Sequence, residues 1–326
     1  MNVLGIETSC DETGAAVVVD GCLVRSNIVA SSLRDHQQYG GIIPEIASRR
    51  QLELIHYVVA EAVSKAGLSL KEIDCIAVTR KPGLIGSLLV GISFARALSY
   101  ALKKPLIDVD HIKAHIYANF LRLESDKDLA LPRWPAMGLV VSGGHSSLYH
   151  VRGPDRFELL GQTRDDAVGE AFDKVARILD LGYPGGPVID RLAKQGVNRD
   201  LRFPKAVMPG THDFSFSGVK TAVFYYVNKN KSVPGFDPAK VAYSFQESVV
   251  EILVDKCLSA CRKRKTETLL VGGGVAANSA LRQRMTEKAK EMGIQVHFPP
   301  MAFCLDNGAM IAGLGYHLRR TKTSGR

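Results

Sequence analysis

A strand, a short polar turn and a returning strand occur twice in this chain, about 135 residues apart, over residues 3–19 and 137–151. In the first copy Val3–Ile6 is apolar, Glu7–Thr13 is polar and turn-like, and Ala15–Val19 is a β-branched run. In the second, Met137–Val141 leads through Ser142–Ser146 into Ser147–Val151. The copies share a layout rather than identical residues. Around them, helical periodicity predicts a helix over 45–66, stopped by Gly67, and another opening at PGLIG near residue 82. Strands are predicted at Ile73–Thr79, Pro105–Val109 and Val296–Phe298, and helices over 111–122 and from about Asp306 to Arg320. A strand, a glycine turn and a helix follow one another in 268–285. Strands alternating with helices predict α/β layers. With the repeated hairpins, they predict two similar lobes and a cleft between them. The charged, proline-marked stretch 124–135 is the expected hinge, giving lobes 1–132 and 133–305, with the helix 306–326 returning to the first.

A chain of 326 residues buries a large core without staples, and its 46% hydrophobic and 23% charged residues exclude wholesale disorder. No apolar stretch is expected to reach the 18 or so residues of a membrane span, and the N-terminus lacks the pattern of a signal peptide. The six cysteines are scattered, with no CxxC pair, which fits a reducing cytoplasm. Charge is uneven. Residues 1–132 hold 14 basic and 15 acidic side chains, whereas 133–326 hold 28 and 18, with runs at Arg262–Lys265 and Arg319–Lys322. That excess suits a polyanion such as tRNA, or else a solvated helix end and a basic tail.

Three small-residue turns follow apolar strands: Glu7–Thr13, Ser142–Ser146 and Gly272–Asn278. Glycine lets backbone approach a ligand, and consecutive N–H groups in such turns form anion nests. Asn278 stands at the third turn as a helix cap or side-chain donor. None matches a P-loop or a dinucleotide-binding fingerprint. Asp166, Glu170 and Asp173 have the spacing of one helix face, and YPGGPVID adds a glycine turn with Asp190. Such carboxylates suit ribose hydroxyls; acidic residues at a helix N-terminus are the plainer account of Asp165 and Asp166. HIKAH puts His111 and His115 at i and i+4, where two imidazoles can chelate one ion with a carboxylate from elsewhere. A polar helix face would explain the pair as readily. Ile112 replaces the glutamate that a zinc-peptidase HExxH would carry.

The ordered motifs IETSCDET, PGLIGSLLVG, HIKAH, VVSGGHSSL, GEAFDKVARIL, YPGGP, FSFSGVKT, GGGVAAN and CLDNGAMIA span nearly the whole chain. Together they resemble the bacterial tRNA threonylcarbamoyladenosine synthase catalytic-subunit family, TsaD, formerly called O-sialoglycoprotein endopeptidase. The resemblance implies an α/β fold of two ribonuclease H-like lobes, of actin/Hsp70/sugar-kinase type, with an interlobe nucleotide cleft. It implies a cytoplasmic acyltransferase that moves threonylcarbamoyl from threonylcarbamoyl-AMP to N6 of adenosine 37 in tRNAs reading codons that begin with A. It implies His111, His115 and Asp306 as ligands of one divalent ion, iron or zinc. It implies Val140, Val141, Ser142, Gly143 and Gly144 as the loop facing the adenylate phosphate and acyl group, and Asp173, Gly186, Asp190 and Asn278 as ribose and adenosine contacts. It also implies a paralogous non-catalytic subunit (TsaB-like) and a small ATPase (TsaE-like) as partners, and no membrane. Two positions depart from the family pattern: Asp110 stands where a second histidine is usual, and Arg80-Lys81 replaces small residues before PGL.

The expected mechanism orients an already activated anhydride and polarises its carbonyl, with Asp11 or Glu12 assisting deprotonation of the amine. Both acids are equally explained as turn formers. A metal-dependent endopeptidase and a nucleotide-dependent ATPase or kinase of the same fold are the alternatives.

Overall fold

The computed structural model describes residues 1–126, 130–196, 200–205 and 208–324. It divides into two compact units: Met1–Pro132 with Gly153–Arg156 and Pro299–Arg326, and Arg133–Arg152 with Phe157–Phe298.

The first unit is built on a five-stranded sheet of β1 (Asn2–Glu7), β2 (Glu12–Val19), β3 (Leu23–Ser31), β4 (Cys75–Lys81) and β5 (Leu106–Asp110), in the order β3-β2-β1-β4-β5. β1 and β2 pair antiparallel with Ile6 opposite Ala15, and β4 runs parallel to β1. Residues 3–6 and 15–18 are buried throughout, as expected of strands covered on both faces. On one face lie α2 (Pro44–Lys65) and α3 (Ile85–Leu102), preceded by the short α1 (Leu33–Gln37). Ile55, Val58, Val59, Ala62 and Val63 of α2 form one apolar stripe in that core. α4 (His111–Tyr117) follows β5, and α10 (Gly308–Ser324) packs on β1, β2, β4 and α4.

Small side chains seat α10. A Cβ on Gly5 would lie 2.1 Å from the Gly308 carbonyl oxygen, and one on Gly308 would lie 2.6 Å from Ala15 backbone. The NGAMIAGLG run therefore lets helix backbone touch sheet backbone, which fixes Asp306 just before the helix.

The second unit repeats the pattern. β6 (Ala136–Val141), β7 (Ser146–Gly153), β8 (Arg156–Gln162), β9 (Thr268–Gly272) and β10 (Gln295–His297) form a sheet ordered β10-β9-β6-β7-β8. Counted within each unit, the two orders are the same: third, second, first, fourth, fifth. Among the described residues five helices complete it: α5 (Val168–Ile178), α6 (Gly185–Ala193), α7 (Ser217–Asn230), α8 (Pro238–Arg264) and α9 (Ser279–Glu291).

Several expectations change. α3 does reach 18 residues, with mean hydropathy 1.5, so among the described residues one helix is long and apolar enough to cross a membrane by length and composition. Glycine, serine and Arg96 break up its apolar run in the sequence, yet its average stays high; in the structure it packs on α2 and β4. The helix expected over 111–122 ends at Tyr117 and tightens into a 3-10 turn over Ala118–Phe120. Part of the expected hinge, residues 127–129, lies outside the described residues, as do the side chains of Arg320–Lys322 in the terminal basic run.

Candidate metal and adenylate sites

The first turn of unit one is held by buried side chains. Glu7 ends β1 with no exposure, and its carboxylate accepts from the Ser9 amide (2.5 Å) and the Thr79 hydroxyl (2.5 Å). The Cys10 carbonyl accepts from Gln51 Nε2 (2.9 Å) and Ser87 Oγ (3.2 Å), and the Glu12 carbonyl from Gln51 Nε2 (3.0 Å). The Asp11 carbonyl accepts from the amide and hydroxyl of Ser32. Three successive carbonyls thus point into the unit. Leu84 N–H donates to the Ser9 carbonyl, docking the PGL turn against this loop.

His111 and His115 project from α4, whose N-cap is Asp110: its Oδ1 accepts from the Lys113 amide at 3.1 Å. A cap fills the departure at that position. The two Nε2 atoms are 3.2 Å apart, and Asp306 Oδ1 lies 3.6 Å from the first and 3.0 Å from the second. The ligand atoms all fall within 4.8 Å of one another. His111 Nδ1 lies 3.1 Å from Glu7 Oε2 and 3.2 Å from Ser9 Oγ. Since the carboxylate can only accept, Nδ1 carries a proton, which leaves Nε2, facing His115 and Asp306, as the nitrogen that would give its lone pair to a cation once its own proton is lost. A carboxylate behind a histidine is how proteins orient metal ligands. Burial lowers the basicity of His111, but Asp306 and Glu7 outweigh it and push its pKa up to about 9. Burial raises the Asp306 carboxyl, but the two imidazoles outweigh it and hold it below the usual carboxylate range. Nitrogen and oxygen donors with excess negative charge fit a divalent cation of the iron or zinc type.

Glu12 opens β2, and burial, then Asp11 and Asp306, push its carboxyl up to about 10. The structure therefore brings His111, His115, Asp306, Asp11 and Glu12 together. Glu7 and Ser9 join them without having been anticipated; their only sequence signal is the E-x-S spacing in the first turn. Lys81 is exposed at the end of β4, and Arg80 beside it lies 4.0 Å from Asp108.

In unit two, Val140 and Val141 are strand residues of β6, fully buried and paired with Ser147 and Ser146. The turn proper thus begins at Ser142, a correction to the loop expected from 140. Ser142 closes the turn on itself, its amide donating to the His145 carbonyl and its hydroxyl accepting from the His145 amide. Its carbonyl accepts from Gly169 N–H at the start of α5. Added Cβ atoms on Gly143, Gly144 and Gly186 would meet open space, and none of the three is among the left-handed glycines. Packing within the unit does not demand glycine there, and glycine leaves the backbone open to close approach. Gly273 differs: its φ is +93° and a Cβ would lie 2.3 Å from the Val141 carbonyl oxygen.

Asp173 Oδ1 accepts from Gly185 N–H at 2.7 Å, and burial raises its carboxyl. Asp190 accepts from Ser279 Oγ at 2.8 Å, one residue beyond Asn278. Asn278 caps α9 through the Leu281 amide and donates to Gln246 Oε1 at 2.7 Å. Asp166 does not share a helix face with Glu170 and Asp173, because α5 starts at Val168. It pairs instead with Lys174 and Lys220, while Asp165 accepts from the Phe216 and Ser217 amides at the start of α7. Structural pairing accounts for both.

Comparison with known proteins bears on the family and the fold. The family model described as TsaD, tRNA N6-adenosine threonylcarbamoyltransferase, matches residues 23–313. Proteins named tRNA N6-adenosine threonylcarbamoyltransferase from Clostridium botulinum (strain 657) and Symbiobacterium thermophilum are each 50% identical. The first alignment covers 99% of this chain and 95% of the relative; the second covers 98% and 92%. Among solved structures, HypF of T. kodakarensis superposes with a TM-score of 0.62 at 16% identity, over 98% of this chain and 48% of that one. Component A of the Acidaminococcus fermentans (R)-2-hydroxyglutaryl-CoA dehydratase does so at 0.56 and 14%, over 98% and 99%. These two likenesses concern the fold alone, which is of the actin/Hsp70/sugar-kinase type. A match over most of the chain and half-identity over nearly its whole length show that the chain belongs to the TsaD family of tRNA N6-adenosine threonylcarbamoyltransferases.

Proposed function

We propose that this chain transfers the threonylcarbamoyl group of threonylcarbamoyl-AMP to N6 of adenosine 37 in tRNAs reading codons that begin with A. The observation that carries the reading is the convergence of His111, His115 and Asp306 beside the Asp11–Glu12 turn. These three side chains would hold one divalent cation, iron or zinc, which supplies a Lewis acid toward the threonylcarbamoyl oxygens. Glu7 and Ser9 fix the ring of His111 from behind. Gly143, Gly144 and Gly186 support contact with the adenylate because they leave backbone open to it. Asp173, Asp190 and Asn278 would take its ribose and base, and Val140 and Val141 contribute only the strand that presents the turn.

The anhydride is already activated. The N6 amine attacks the carbamoyl carbon, the bond from that carbon to the phosphate oxygen breaks, and AMP leaves with the electron pair. The amine loses one proton, which Asp11 or Glu12 would take. Burial, then Asp11 and Asp306, keep the Glu12 carboxyl protonated near neutral pH, so it would take the amine proton only after giving up its own. Adenosine 37 leaves its stack to present N6.

The reading places the enzyme in the cytoplasm, consistent with six free cysteines. Ile85 and Leu89 on α3 are 86% and 63% exposed, an apolar face that supports a protein partner such as a TsaB-like paralogue; a TsaE-like ATPase completes the set. An endopeptidase reading loses its base, because Ile112 is buried where that glutamate would stand.

The test is reconstitution with threonine, bicarbonate, ATP, the adenylate-forming enzyme and the partners. Unmodified tRNA should acquire threonylcarbamoyladenosine, and the same tRNA with guanosine at position 37 should not. Modification of both, or of neither, would contradict the assignment.

A further inference from the structure

Unit two, residues 133–152 and 157–298, holds 23 basic and 16 acidic side chains, so +7 of the chain's +9 belongs to it. Much of that excess gathers where α8 ends. Arg262, Lys263, Arg264 and Lys265 are all exposed at its last turn. Beside them is a concavity of about 670 Å³, lined by Arg164, Lys263, Arg264 and the Gly210–Asp213 loop along the outer edge of β8. Two guanidiniums there are held in place. Arg164 Nε and Nη2 both reach Asp213 Oδ2, at 2.7 and 2.6 Å, and Arg264 Nη2 reaches Glu158 Oε1 at 2.5 Å. Arg262, Lys263 and Lys265 have no ion pair among the described residues. The local potential is positive: burial, then Lys263, Lys256 and Arg264, lower the basicity of His212 in the same concavity. None of these groups belongs to the adenylate turn or the metal ligands.

We infer that this concavity is a docking surface for the sugar–phosphate backbone of the tRNA substrate, outside the modified nucleotide. The inference rests on the reading that the chain acts on tRNA. Charge complementarity favours RNA as the occupant. Pinned guanidiniums give phosphates fixed donors, unpaired lysine and arginine heads give adjustable ones, and an open groove admits a chain rather than a small molecule. Such contacts set register and affinity without reading sequence.

The experiment measures binding of the full-length protein to unmodified tRNA between 50 and 300 mM KCl, about the range over which backbone contacts are lost. Arg262→Ala with Lys263→Ala, and separately Lys263→Glu, are compared with Lys71→Ala, an exposed lysine of unit one. Each lost phosphate contact should make the slope of log affinity against log salt shallower by about 1. Affinity at low salt should fall about tenfold for Lys263→Glu, while Lys71→Ala behaves as wild type. Melting temperatures should not move, because the replaced side chains are exposed. Wild-type affinity and slope in both α8 variants would overturn the surface. So would normal tRNA binding with loss of an acidic protein partner. A wild-type protein that binds no tRNA at any salt would overturn the functional reading and this surface with it.

Discussion

Glu7 shows how one buried residue decides the chemistry of another. Its carboxylate, sealed from solvent, directs the His111 proton to Nδ1 and leaves Nε2 for the ligand set. Glu7→Gln should keep the fold yet weaken divalent-metal affinity about 10–100-fold, the usual effect of losing such a partner. Competition with a fluorescent chelator measures it, and unchanged affinity would remove Glu7 from the site. Glu12 gives a pH prediction. Its folded pKa near 10 lies above the ordinary 4.5, so its contribution to stability is complete below about pH 4.5 and is lost as pH rises toward 10. Metal-free Glu12→Gln avoids that ionisation. It should melt higher than metal-free wild type at pH 8, by an amount on the order of 1 kcal/mol or more, and no higher near pH 4. A melting series across that range decides it. At this scale the sequence was only partly legible. The i,i+4 histidines announce themselves, but a buried Glu7 looks like any turn-forming acid until Thr79 and His111 are seen to close on it.

Elements explain why the ligands meet. α10 reaches the sheet only because Gly5, Gly14 and Gly308 leave room, and Asp306 rides on its approach. Gly5→Ala would press a methyl into the Gly308 carbonyl, so it should destabilise by about 1–3 kcal/mol and displace Asp306. Chemical denaturation reads the first effect and metal affinity the second; a variant normal in both would refute this packing account. The hairpins β1–β2 and β6–β7 were legible because a buried apolar run, Val3–Ile6 or Met137–Val141, opens each and a short polar turn follows it. Strands β3 and β8 escaped notice: they lie at sheet edges, half-exposed, with polar residues that blur the alternation. The acidic stretch before α5 misled for another reason. Helical spacing assumes a helix already begun, and Asp165 and Asp166 precede it to serve α7 and two lysines.

The whole molecule is one pattern used twice and then specialised. Both sheets keep the same strand order, but each first turn has gone its own way. In unit one it became a carboxylate-rich loop beside two histidines; in unit two it became a glycine turn open to a ligand. That duplication was visible from two hairpins about 135 residues apart. Asp306 could be joined to HIKAH only through family resemblance, because no local spacing links residues so far apart in the chain. The central claim is that these three side chains seat the cation needed for acyl transfer to tRNA. The most direct measurement is single-turnover transfer of labelled threonylcarbamoyl from preformed adenylate to unmodified tRNA, with metal per chain determined on the same samples. Wild type should carry about one ion and transfer the label, whereas His115→Ala should lose the ion and at least about 100-fold in rate. Full transfer by a metal-free His115→Ala protein would contradict the account.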